Sequence, residues 1–160
     1  MTKSISPLEG KTVLVRVDPE TGINDAVGAE LVALAREGAR VAVVGGYGDP
    51  QGDVNPALSL RRFLDALEEV TGMPVLFVPE CVGSGAEAGL ARAPFGAIVL
   101  MENLRFHPDL QRQGRAFAMR LSALGDYFAV PGGIPATDPG WIRALTELLP
   151  SPETDLRQSA

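Results

Sequence analysis

The stretch "IVLMENLRFHP", residues 98–108, changes character in its middle. Four apolar residues run directly into Glu102, Asn103, Arg105 and His107, the single histidine of the chain. A short run that is apolar at every position suits a strand buried on both faces, as in a parallel sheet covered by helices. Four more runs share this character: "TVLVRV" (12–17), "RVAVVG" (40–45), "PVLFVP" (74–79) and "YFAV" (127–130).

Helical patterns separate them. Residues 29–37 place Leu31, Leu34 and Ala35 at helical spacing and stop at Gly38, because glycine accepts the positive φ that closes a helix. Residues 58–71 align Leu60, Phe63, Leu64, Leu67 and Val70 on one stripe, with Arg61, Arg62, Asp65 and Glu68 toward water, and end at Gly72. Residues 84–92 form a shorter pattern. Residues 113–124 turn Phe117, Leu121 and Leu124 inward, and 139–149 present Trp141, Ile142, Leu145, Leu148 and Leu149 as one apolar face. Alternation of strand and helix predicts an α/β class, a Rossmann-like three-layer α/β/α architecture with a mostly parallel sheet. The domain is expected over residues 8–150. Residues 151–160, polar and without periodicity, read as a disordered tail.

A chain of 160 residues suits one core, and 46% hydrophobic with 21% charged residues is ordinary globular composition. The formal charge of -6 supplies no basic field for phosphate backbones or anionic lipid, so neither nucleic acid nor membrane is an expected partner. Cys81 is the one cysteine; it makes no intrachain disulfide and reads as a small core residue. With no zinc-ligand spacing, neither metal nor cofactor is expected. The start of the chain has no apolar signal core, and a cytoplasmic location is expected.

In open parallel sheets ligands gather at the carboxyl ends of the strands, near the point where strand order reverses. The first run ends in Arg16 and Asp18, with Glu20 following. The second opens into "GGYGDPQGD", whose glycines, Gly46 among them, expose Tyr47 and Asp49. The fourth delivers Glu102, Asn103 and Arg105. Neither a Walker pattern nor GxGxxG is present in the glycine-rich loop. Asp18, Tyr47, Asp49 and Glu102 are candidates for acid or base roles, while Arg16, Asp18, Glu20, Gly46, Tyr47, Asp49, Asn103 and Arg105 are candidates for holding a ligand. Glu102, Asn103 and Arg105 have an equally plain structural reading, as a knot in which the asparagine and arginine bond loop carbonyls. Asp138 before Pro139 has the form of a helix cap.

"GKTVLVRVD", "VNPALSL", "PVLFVPECVG", "MENLRFHP" and "LGDYF" occur in the order and at about the intervals found in the N-terminal domain of phosphoglycerate kinases, which the chain resembles over residues 8–150. That domain binds 3-phosphoglycerate through a basic cluster and an Asp/Asn pair, and a separate domain binds magnesium nucleotide. The resemblance therefore implies a substrate half, and no nucleotide half is expected among these residues. The chain departs from the family pattern where Asp-Phe-Asn becomes Asp18, Pro19, Glu20. Ser-His-Leu-Gly-Arg-Pro becomes Gly45, Gly46, Tyr47, Gly48, Asp49, Pro50, and "PGGIPATD" replaces the stretch after the fifth strand. Arg105 and Arg16 are retained. The expectation is a homologue without kinase activity whose cleft takes a different small molecule. The alternative is a binding or scaffold protein, a homo-oligomer or the partner of an enzyme, acting through Trp141, Leu145 and Leu149 if these are exposed.

Overall fold

The computed structural model describes residues 6–138 and 140–159. Among them five strands form one sheet: β1 (Thr12–Arg16), β2 (Arg40–Val44), β3 (Val75–Val78), β4 (Ile98–Met101) and β5 (Tyr127–Ala129). Their order is β3-β4-β2-β1-β5, and every pairing is parallel. Seven helices connect and flank them: α1 (Asp25–Arg36), α2 (Leu64–Thr71), α3 (Ser84–Arg92), α4 (Asp109–Arg112), α5 (Gly114–Ser122), α6 (Trp141–Leu148) and α7 (Pro152–Ser159).

The central strands β1, β2 and β4 are buried on both faces, as expected of a covered parallel sheet, whereas the edge strand β3 leaves Leu76 exposed. Val13, Val15, Val41, Val43, Ile98 and Leu100 enter one core with Leu31 of α1 and Leu67 of α2. Leu14, Ala42, Val44, Val99 and Met101 enter a second core with Leu90 of α3, Phe117 and Leu121 of α5, and Ile142 and Leu145 of α6. Alternate residues of each strand thus build the two sides of a three-layer structure.

Two helix glycines, one at an end and one inside, have local causes. Gly72 closes α2 at φ +66 as the sequence pattern predicts. Gly28 lies where α1 and α2 touch, and a Cβ there would stand 2.2 Å from the Val70 carbonyl oxygen.

Three helix boundaries differ from expectation, the first being α1, which begins at Asp25 rather than at residue 29 behind its cap Asn24. The pattern over 58–71 divides into 3-10 turns at Pro56–Leu58 and Leu60–Phe63 before α2 begins. Ser59 breaks it, held extended at φ -63 and ψ 139 while its hydroxyl accepts from the Arg61 N–H at 3.2 Å. The expected helix over 139–149 starts at Trp141. Asp138 caps it by accepting from the N–H groups of Gly140, Ile142 and Arg143 at 2.9, 3.3 and 3.0 Å, while Pro139 lies outside the described residues.

The expected disordered tail is the clearest correction. Pro152–Ser159 is helical, and Pro152 is buried at its first position. Tertiary contacts supply what periodicity lacks: the Phe128 N–H of β5 donates to the Pro150 carbonyl at 3.0 Å, the Tyr127 hydroxyl donates to the Asp155 carboxylate, and Leu156 packs against the core.

Candidate functional site

The chain leaves β2 toward α2 on one face of the sheet and β4 toward α4 and α5 on the other, so a crevice opens between adjacent carboxyl ends. The exit loops are bound together across it. The Leu104 N–H donates to the Gly45 carbonyl at 3.0 Å. Asn103, fully buried, accepts through Oδ1 from the N–H groups of Tyr47 at 3.1 Å and Arg105 at 3.0 Å. Its Nδ2 donates to the carbonyls of Tyr47 at 2.8 Å and Leu58 at 3.0 Å. Both donors and both acceptor positions of the amide are thereby occupied.

Glu102 is committed in the same way. Its Oε1 accepts from the N–H groups of Leu60 and Asn103, each at 2.8 Å, and its Oε2 from the Ser59 hydroxyl at 2.7 Å. Tyr47 lays its ring edge against Phe63, with centroids 5.1 Å apart, and its hydroxyl accepts from Arg62 at 3.2 Å. These three candidates hold the crevice's loops in place, and none of their side chains is among the residues lining the cleft.

The cleft has a volume of about 250 Å³. Arg16, Asp18, Gly46, Arg105, Gln111 and Thr137 supply its polar lining, and Leu104, Leu110, Trp141 and Ile142 its apolar lining. Arg16 arrives at the end of β1, half-buried, and its guanidinium makes no hydrogen bond or ion pair with any described residue. Asp18 accepts from the Glu20 N–H through Oδ1 at 2.9 Å, an Asx turn that leaves Oδ2 without a described partner. Glu20 itself is exposed and lines no part of the cleft. Arg105 Nη1 donates to the Gly48 carbonyl at 2.8 Å. A Cβ at Gly46 would stand 2.7 Å from Arg105 Nε, so glycine at this position makes room for the guanidinium.

Two neighbouring hollows share the cleft's walls. One, of about 330 Å³, includes Asp49 and Arg112 and shares Arg105 and Gln111 with it. The other, of about 350 Å³, includes Asn24 and Glu30 and shares Arg16 and Asp18. His107 borders the first of these. Burial lowers its pKa from the usual histidine value, and the Arg120 guanidinium adds to this against the opposing pull of Asp109, so the neutral ring is favoured. The Asp109 backbone N–H donates to His107 Nδ1 at 3.2 Å and Arg120 Nη1 lies 2.7 Å from Nε2, so donors face both ring nitrogens and the protonated ring is disfavoured.

Burial pushes the Cys81 thiol up to about 11, so it behaves as a core residue. Among the described residues no group of His, Cys, Asp and Glu could hold a metal ion, and no helix is long and apolar enough to cross a membrane. Trp141 and Leu145 are buried, with Trp141 6.3 Å from Phe128 of β5, and Leu149 is half-buried. The apolar face considered for a protein partner is thus largely taken up by the core.

Sequence reasoning located Arg16, Asp18, Gly46 and Arg105 at one cleft, and Asp49 beside it. It missed Gln111, Thr137 and Leu110. Thr137 carried a signal, its position after the fifth run beside the capping Asp138. Gln111 carried none, because α4 is a single turn whose place depends on contacts distant in sequence.

Fold and cleft together define an open parallel α/β domain with a cleft at its strand ends. The chain belongs to the phosphoglycerate kinase family, whose model, described as "Phosphoglycerate kinase", matches residues 3–131. It is 37% identical to the phosphoglycerate kinase of Rhodospirillum centenum, over 74% of this chain and 33% of that protein. To the enzyme of Bartonella quintana it is 31% identical, over 89% of this chain and 38% of that protein. The chain thus spans a third or slightly more of the length of these relatives. Among solved structures, phosphoglycerate kinase from Pyrococcus horikoshii superposes with a TM-score of 0.61 at 21% identity, covering 77% of this chain and 34% of that one. The structure from Coxiella burnetii does so at 0.59 and 19%, covering 77% and 33%.

Proposed function

We propose that the strand-end cleft binds a small molecule less anionic than 3-phosphoglycerate, and that the chain does not phosphorylate 3-phosphoglycerate. The observation that carries this reading is the charge of the lining: Arg16 and Arg105 stand with Asp18, and Asp49 shares the adjoining hollow with Arg105. The family resemblance implies a histidine and an arginine where this chain has Gly46 and Asp49. A phosphoryl group with nearly two negative charges is held by several cationic donors in a desolvated pocket. Replacing a cation by a carboxylate turns attraction into repulsion, roughly 4 kcal/mol for like charges about 4 Å apart at an effective dielectric near 20.

The neutral lining of Gln111 and Thr137, backed by the buried side chains of Leu104, Leu110 and Ile142, favours a ligand with one anionic end and an uncharged body. A coupled assay of the purified chain with ATP, magnesium and 3-phosphoglycerate is expected to give no turnover above background. ATP-dependent consumption of 3-phosphoglycerate that scales with protein concentration contradicts the proposal.

A further inference from the structure

Three charged side chains line the cleft, and no two of them are paired. Among the described residues the ion pair between charged groups is Arg115 with Glu147, away from the cleft, and His107, neutral beside Asp109, adds none. Arg16 is half-buried with no described hydrogen-bond partner. Asp18 retains a free Oδ2, and Arg105 spends one bond on a carbonyl. Opposite charges that face one cavity without touching leave a field suited to a ligand carrying both signs. The neighbouring hollows extend the same polarity: Asp18 is joined by Glu30 on one side, and Arg105 by Arg112 on the other.

Size narrows the choice. At about 250 Å³ the cleft falls below the usual range of roughly 300–1,000 Å³ for drug-sized ligands. Leu104, Leu110 and Ile142 are buried behind the cleft and back it with apolar groups, while Thr137 and Gln111 offer neutral hydrogen-bonding groups, so the cleft presents no further charge to a ligand's side group.

Building on the reading that the cleft takes a less anionic ligand, we infer that this ligand is a zwitterion of amino-acid size, an α-amino acid with an uncharged side group. Its carboxylate is received by the guanidinium groups of Arg16 and Arg105, whose planar fork matches two carboxylate oxygens. Its ammonium is received by Asp18 Oδ2. The zwitterion adds no net charge to the cleft, and its ends separate the two signs that the protein already holds apart.

The test is isothermal titration of the purified chain with each uncharged L-amino acid, followed by the des-amino acid and the decarboxylated amine of the tightest binder. Titration with 3-phosphoglycerate serves as reference. Saturable binding of at least one amino acid is expected with Kd on the order of 1 mM or below, weakened at least about tenfold by removal of either charged end. Asp18→Asn, which keeps the turn acceptor, is expected to weaken the amino acid at least about tenfold while leaving the des-amino analogue within about twofold. The inference is overturned if no amino acid binds, or if the des-amino acid binds as tightly as its parent. Tight binding of 3-phosphoglycerate instead overturns the broader proposal of a less anionic ligand, so the two failures are distinguishable.

Discussion

Asn103 makes four hydrogen bonds to Tyr47, Leu58 and Arg105, and every substitute loses at least two. Asn103→Asp is nearly the same size but places carboxylate oxygen against the carbonyls of Tyr47 and Leu58, in a fully buried position. The expected cost is about 3 kcal/mol or more in urea denaturation, since buried donors and acceptors are left without partners. A change below about 0.5 kcal/mol contradicts the knot. Cys81 makes a prediction in pH. Its folded pKa of about 11 lies above the ordinary value of 9.0, so the unfolded chain gives up the thiol proton first. The contribution is fully present below about pH 9 and is lost as pH rises toward about 11, a fall of roughly 3 kcal/mol from the two-unit difference. Stability measured against pH should therefore drop more steeply over that window for the wild type than for Cys81→Ala, and parallel curves contradict it.

At the scale of elements, the strands were legible because each is apolar at nearly every position, so residues of both faces carried the signal. The end of α2 at Gly72 was legible for a different reason, the positive φ that glycine tolerates. Ser59 hid the start of that helix, because its conformation depends on the neighbouring 3-10 turns and on Glu102, forty-three residues away. The last helix was illegible for a related reason. Its sequence is polar, and Tyr127, Phe128 and Pro150 hold it against β5. Gly28 yields a prediction at this scale. Alanine favours a helix interior by about 1 kcal/mol over glycine, yet its Cβ would meet the Val70 carbonyl at 2.2 Å. Gly28→Ala is expected to lose about 1–2 kcal/mol net through separation of α1 and α2. A variant more stable than wild type in urea denaturation contradicts this close approach.

For the whole molecule, fold and family were readable from the sequence, since ordered strand runs and the segments after them carry both. The company of Arg105 was only partly readable. Its own identity and that of Gly46 and Asp49 could be named, but their meeting depends on β2 and β4 lying side by side, a pairing set by topology. That pairing also sorts the acidic and amide residues, since Glu102 and Asn103 bind the loops while Arg16, Asp18 and Arg105 remain available to a ligand. The central claim is that this cleft has lost the charge needed for a phosphorylated substrate. Calorimetric titration of 3-phosphoglycerate into the wild-type chain at low ionic strength tests it most directly. The account predicts no saturable heat up to about 1 mM, whereas saturable one-site binding with a Kd well below about 1 mM would contradict it.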